Sequence, residues 1–234
     1  MSQKEYYFIR HGIPLNDVGS FHLSVFDKDM QGEMDEPLSA AGRRQAAALK
    51  DVIHQLGIQR IVSSTLKRAE ETASIIAAET GIPHDRKFKR LVEINLGSYP
   101  IKRIGPVHML FSKWWPRRIR KLIDRGVVSA ITVFYFLQWH LGNTIGGESL
   151  EEINRKVDEM LCELDAFPEN RIAVVCHAGW ISFLVVNILG GSLWNFLKLS
   201  RVDNCSLTRI DSNGNGKYEL RYFAMPPSSI PTMA

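Results

Sequence analysis

The chain has 234 residues, enough to bury a continuous core without disulfides or metals to hold it. Its apolar fraction of 45% and charged fraction of 23% are those of an ordinary globular protein, with no internal repeat or low-complexity tract. The formal charge of +4 is concentrated in one place. Between Lys102 and Arg125 eight basic residues face one acid, Asp124, so the remainder is mildly acidic and nucleic acid is not an expected partner.

Cys162, Cys176 and Cys205 are odd in number and widely spaced, which suggests neither a disulfide framework nor a zinc site. That usage points to a reducing compartment. The first residues lack the basic start and long apolar stretch of a secretory signal, so a cytoplasmic location is expected.

Along the chain, Tyr6-Tyr7-Phe8-Ile9 reads as a short buried strand that feeds a loop at Arg10-His11-Gly12. Ser39 precedes an Ala-, Leu- and Gln-rich segment that predicts a helix over 40–56, ended by Gly57. A second strand follows at Ile58 to Ser63, and a second helix at Leu66 to Thr80, stopped by Gly81 and Pro83. Ser149 to Phe167 predicts a longer amphipathic helix, Arg171 to Cys176 a compact apolar strand, and 178–189 a further helix. Two late strands, near 205–210 and 217–223, flank a turn at Asn213-Gly214-Asn215-Gly216, and 226–234 reads as a loose tail. Alternation of buried strands with helices predicts a three-layer α/β/α sandwich, with a mainly parallel central sheet, in one domain covering 1–234.

Two of these strands run into a histidine, Ile9 through Arg10 to His11 and Cys176 to His177. In open parallel sheets, sites lie outside the carboxyl ends of the strands, so two histidines at one edge can face each other across a crevice. A neutral imidazole can act as a nucleophile near pH 7, because its ordinary pKa is about 6.5. Arginine suits phosphate oxygens, since its planar fork bonds two at once and stays charged.

The motifs then follow in a recognisable order. Phe8-Ile9-Arg10-His11-Gly12 resembles the signature of the histidine phosphatase superfamily, which includes the phosphoglycerate mutases. Leu38-Ser39-Ala40-Ala41-Gly42-Arg43-Arg44-Gln45-Ala46 resembles the family's first-helix segment. The run from Ser63 to Ala73 resembles its strand-to-helix motif, with Arg68 at the phosphate-binding position. Leu91 to Gly97 is similar to the segment that carries the proton donor, here Glu93. Gly146-Gly147-Glu148-Ser149 matches the start of the long helix, and Cys176-His177-Ala178-Gly179 the second catalytic histidine.

The resemblance implies a metal-independent phosphatase without cofactors, acting on an anionic phosphorylated substrate. His11 would attack phosphorus and become transiently phosphorylated. Arg10, Arg68 and His177 would bind the phosphate and stabilise transition-state charge. Glu93 would protonate the leaving oxygen and then help activate water. A mutase, which returns the phosphoryl group to a second hydroxyl, fits the same motifs. A non-catalytic binding protein that keeps the fold is the alternative from another class.

Two departures from the family pattern stand out. Ser98-Tyr99-Pro100-Ile101 replaces the Glu-Gly pair that often follows the glycine. The position six beyond the nucleophile, often asparagine, is Asp17, with Asn16 beside it, and an ionised Asp repels phosphate.

Residues 100–145 form an insertion that in this family often makes a helical lid. It holds Trp114, Trp115 and Trp139 and the basic run Arg117-Arg118-Ile119-Arg120-Lys121. Three readings stand side by side: two helices packed on the domain, a lid for an anionic and partly apolar substrate, and a peripheral membrane or protein contact through 102–139. The apolar run after Val127, about 15 residues, is shorter than the roughly 20 a spanning helix needs.

Overall fold

The computed structural model describes residues 3–15, 35–95, 141–142, 146–190 and 202–230. Those described in 3–15, 35–94, 154–190 and 202–230 belong to one compact unit; 95, 141–142 and 146–153 belong to a second. The sheet and both histidines lie in the first.

Strands β1 (Lys4–Arg10), β2 (Arg60–Ser64), β3 (Arg86–Phe88), β4 (Arg171–Cys176), β5 (Leu207–Ser212) and β6 (Tyr218–Met225) form one sheet in the order β3-β2-β4-β1-β5-β6. The four strands from β3 to β1 run parallel; β5 is antiparallel to β1 and pairs with β6 as a hairpin. The fold is therefore a mainly parallel α/β sandwich. In β1 the register sets Phe8 beside Val174 and Thr208, and Arg10 beside Cys176.

Side chains of a strand alternate between faces, and β1 uses that period to build two cores. After α1 (Ala40–Ala47) come α2 (Lys50–Gln55) and α3 (Lys67–Thr80), and Tyr7 and Ile9 pack with Ile61, Ala173, Val175 and Leu207 against these latter two. Tyr6 and Phe8 face the other way, toward α4 (Leu150–Asp165) and α5 (Ala178–Ile188). Phe8 stacks on Trp180 of α5 with centroids 5.5 Å apart, and the Trp180 indole N–H donates to the Arg90 carbonyl at 2.7 Å. Val157, Met160, Leu161 and Leu164 are buried at helical spacing along α4.

At the start of β1, Asp165 ties three elements together. Its carboxylate accepts from the hydroxyls of Tyr6, Ser212 (2.9 Å) and Tyr218 (2.8 Å). Burial and the Asp165 carboxylate raise the pKa of both phenols, so they remain donors.

The helix expected over 40–56 divides in two. At Leu49 the backbone N–H bonds Ala46, three residues back, and this tighter turn redirects the chain so that Leu49, Val52, Ile53 and Leu56 all bury. Strand β3 was not anticipated: Arg86-Lys87-Phe88 has no apolar run, and it forms as a short edge beside β2. The tail shows a short 3₁₀ turn at Pro227–Ser229, with Ile230 buried in the core that includes Tyr7, Ile9 and residues of α2 and α3.

Removing the Phe8 ring leaves a cavity between β1 and α5. Phe8→Ala should destabilise the fold by roughly 3–5 kcal/mol. Urea unfolding should show a lowered midpoint at unchanged m.

Candidate active site

The β1–β4 register carries directly into the site. Arg10 and Cys176 are partners at the strand ends, and the His11 N–H donates to the Cys176 carbonyl at 3.0 Å. The next residue on each strand is therefore a histidine, and the rings of His11 and His177 lie 5.1 Å apart between centroids, tilted by 57°. His11 is 4% exposed and His177 fully buried.

The two nitrogens of His11 differ. Nδ1 is 2.7 Å from the Gly12 carbonyl oxygen, which can only accept, so Nδ1 carries the proton. That leaves the lone pair of a neutral ring on Nε2, and the Arg68 Nε–H donates to it at 3.2 Å. Burial first, then the cations of Arg68 and Arg10, hold the pKa of His11 well below its ordinary 6.5. The ring is neutral at pH 7, with its lone pair on a defined nitrogen.

Each backbone group around His11 is held by a different element. The Gly12 N–H donates to Thr72 Oγ1 of α3 at 3.0 Å, and Thr72 in turn donates to the Arg68 carbonyl at 2.7 Å. The Ile13 N–H donates to Gln45 of α1 at 3.1 Å, and Asn204 donates its amide to the His11 carbonyl at 2.8 Å. Ser39 caps α1 by accepting the Gly42 N–H at 3.0 Å, while its own hydroxyl donates to the Ile13 carbonyl at 3.0 Å. At Gly12 and Gly42 the backbones touch: a Cβ on Gly12 would lie 2.6 Å from the Gly42 oxygen, and one on Gly42 2.2 Å from the Ile13 oxygen.

Arg10 is anchored at the same edge. Its backbone N–H donates to Ser206 (3.3 Å), its carbonyl accepts from Cys205 (2.9 Å), and its Nη1–H donates to the Val202 carbonyl at 2.6 Å. Arg68 lies in the first turn of α3, where Asp35 accepts the adjacent Lys67 N–H at 2.6 Å.

His177 is the N-cap of α5, and its Nε2 lies 3.0 Å from Ser64 Oγ at the end of β2. Burial, followed by His11, Arg68 and Arg10, lowers its pKa well below 6.5. The Glu93 carboxylate accepts from the backbone N–H groups of Ile94 (3.1 Å), Gly179 (3.4 Å) and Trp180 (3.1 Å). It thus sits on the first turn of α5, where N–H groups lack helical partners and the helix dipole favours negative charge. A Cβ on Gly179 would lie 2.7 Å from Glu93 Oε1, so glycine is needed for this approach.

Arg10, His11, Arg68, Glu93 and His177 thus gather at the carboxyl ends of β1, β2 and β4. Ser64, Thr72, Gln45 and Asn204 join them without having been singled out from the sequence. Thr72 had a usable signal, since it stands four residues after Arg68 on one helix face. Asn16, Asp17, Trp114, Trp115, Trp139 and the basic run 117–121 lie outside the described residues. In the second unit, Glu148 accepts the Asn95 N–H at 2.8 Å, and Ser149 and Glu152 form a reciprocal capping box at the start of α4. No cluster of three metal-ligating side chains occurs among the described residues.

Alanine ordinarily exceeds glycine in a helix by about 1 kcal/mol, but at Gly42 the Ile13 oxygen reverses the sign. Gly42→Ala should lower the thermal midpoint; a raised one would contradict the contact.

For pH, His11 and His177 stay neutral when folded, whereas an unfolded histidine takes up a proton near pH 6.5. Unfolding therefore binds protons in mild acid. Stability is fully present above about pH 6.5 and is lost as pH falls below it. His177→Asn should remove one such proton and flatten the slope, measured by urea unfolding, by up to about 1.4 kcal/mol per pH unit.

Comparison with known proteins agrees with this architecture. The family model described as "Histidine phosphatase superfamily (branch 1)" matches residues 6–128 and 131–224. The "Probable phosphoglycerate mutase GpmB" of Salmonella paratyphi A is 32% identical over 187 residues, 79% of this chain and 78% of that protein. Its counterpart in Escherichia coli O1:K1 / APEC shows the same identity and coverage. Among solved structures, a mycobacterial glucosyl-3-phosphoglycerate phosphatase superposes with a TM-score of 0.65 at 24% identity, covering 96% of this chain and 100% of that one. A phosphoserine phosphatase mutant from Entamoeba histolytica gives 0.63 at 20% identity, covering 94% and 96%. These two likenesses concern the fold. The family model and the curated relatives go further: the chain belongs to branch 1 of the histidine phosphatase superfamily.

Proposed function

We propose that the chain hydrolyses phosphomonoesters through a phosphohistidine on His11. The observation that carries this reading is the state of His11: neutral, protonated on Nδ1 by its bond to Gly12, with the Nε2 lone pair beside Arg68.

In the first step Nε2 attacks phosphorus and the bond to the ester oxygen breaks. Glu93 hands a proton to that leaving oxygen. Arg10, Arg68 and His177 offset the charge on the equatorial oxygens, which is most of what catalysis of phosphoryl transfer demands. In the second step water attacks the phosphohistidine, Glu93 takes a proton from it, the N–P bond breaks and inorganic phosphate leaves.

A mutase reading is favoured by one observation, the name carried by the curated relatives at 31–32% identity. It differs only in the acceptor of the second step. Substrate choice is assigned to the insertion at 100–145, whose tryptophans and basic residues suit an anionic ester with an apolar portion. A single domain over 1–234 and a cytoplasmic setting complete the proposal. The latter is supported by three free cysteines. Among the described residues no helix is long and apolar enough to cross a membrane.

The test is a phosphate-release screen across phosphomonoesters, with p-nitrophenyl phosphate included and His11→Ala as blank. Wild-type protein should release phosphate and form an acid-labile phosphoenzyme, and His11→Ala should lose both, by about 10³-fold or more in rate. An isomeric phosphate ester in place of inorganic phosphate would favour the mutase. Activity indifferent to His11→Ala would overturn the reading.

A further inference from the structure

The two ring nitrogens of His177 have different surroundings. Nε2 lies 3.0 Å from Ser64 Oγ, while Nδ1 is buried and has no hydrogen-bond partner among the described residues. Ser64 Oγ already accepts the Leu66 N–H at 3.3 Å. Its own hydroxyl proton has one acceptor among the described residues, His177 Nε2.

Two neutral tautomers of His177 are conceivable, and they leave different groups unsatisfied. With the proton on Nε2, that N–H donates to Ser64. The buried Ser64 hydroxyl proton is then stranded, and Nδ1 presents a bare lone pair. With the proton on Nδ1, the Ser64 hydroxyl donates to Nε2, and the one remaining group is the Nδ1–H itself. Each arrangement strands one donor, but the first also strands the buried Nδ1 acceptor, and an unsatisfied buried polar group costs about 1–3 kcal/mol, which favours the second.

We propose that Ser64 is a positioning residue that fixes His177 as its Nδ1–H tautomer, making the ring a neutral hydrogen-bond donor to the substrate phosphoryl group. This rests on the phosphohistidine reading of the site. His11 and His177 then share one tautomer but present opposite ends. His11 spends its N–H on Gly12 and presents a lone pair; His177 spends its lone pair on Ser64 and presents an N–H. A lone pair at Nδ1 of His177 would instead repel an equatorial phosphate oxygen. Burial and the arginines around His177 keep it from gaining a second proton, so its donor capacity depends on which nitrogen holds the single one.

The test uses full-length protein labelled with 15N-histidine, in long-range proton–nitrogen spectra above about pH 7, with His177→Asn to assign its signals. The expected result is a protonated Nδ1 and unprotonated Nε2 for His177. Inorganic phosphate should shift the Nδ1–H resonance. Ser64→Ala should abolish the single-tautomer pattern and lower kcat for p-nitrophenyl phosphate roughly 10- to 100-fold, with a smaller change in KM. Ser64→Thr, which keeps the hydroxyl, should restore the pattern and most of the rate.

A wild-type His177 protonated on Nε2 overturns the proposal, even if Ser64→Ala fails to fold. Retention of both the tautomer and kcat in a folded Ser64→Ala protein also overturns it. The tautomer is read without turnover, so an inactive wild-type protein with a protonated Nδ1 would sink the phosphatase reading while leaving the Ser64 assignment supported.

Discussion

The parallel pairing of β1 with β4 is the constraint on which the site depends. Strand neighbours are held about 4.8 Å apart by their hydrogen bonds. A register that matches Arg10 with Cys176 therefore delivers the following residues, two histidines, side by side. No loop has to find this geometry. A shift of one residue would turn Phe8 out of its core and separate the histidines together, so fold stability and site geometry share one register.

Electrostatics completes what register begins. Two histidines and two arginines in a buried space would repel one another if all were charged. The conflict is resolved by keeping the imidazoles neutral, and burial is the leading cause at both rings. Neutral rings need their protons placed, and the neighbours available for this are a backbone carbonyl for His11 and a serine hydroxyl for His177. Glu93 is received differently, by the N–H groups at the start of α5. The acid and the second histidine are consequently joined through one short stretch of backbone.

Much of this was legible in the sequence, for identifiable reasons. Tyr6 to Ile9 and Ile172 to Val175 are compact apolar runs, and such runs bury as central strands whatever surrounds them. Arg10, His11, Arg68, Glu93 and His177 stand in motifs whose order is itself informative. The residues that hold the loop were harder to see. Gln45 and Asn204 act by bonding backbone groups far away in the chain, a role that leaves no local pattern, and Thr72 does the same with only its spacing from Arg68 to mark it. Strand β3 escaped because its pairing with β2, not its composition, makes it a strand. The division between α1 and α2 escaped because Ala46-Ala47-Ala48-Leu49 favours unbroken helix, and burial of Leu49 overrode that preference.

The contact between Gly12 and Gly42 has a mechanical consequence. Most helices meet a neighbouring loop through side chains, which change rotamer and absorb small movements. Here peptide groups rest on one another directly, and the Ile13 oxygen occupies the space a methyl group would need. Nothing compressible separates the first turn of α1 from the backbone that orients His11. A displacement of that turn is passed undamped to the backbone that carries His11, which makes α1 a lever on the direction of the His11 ring.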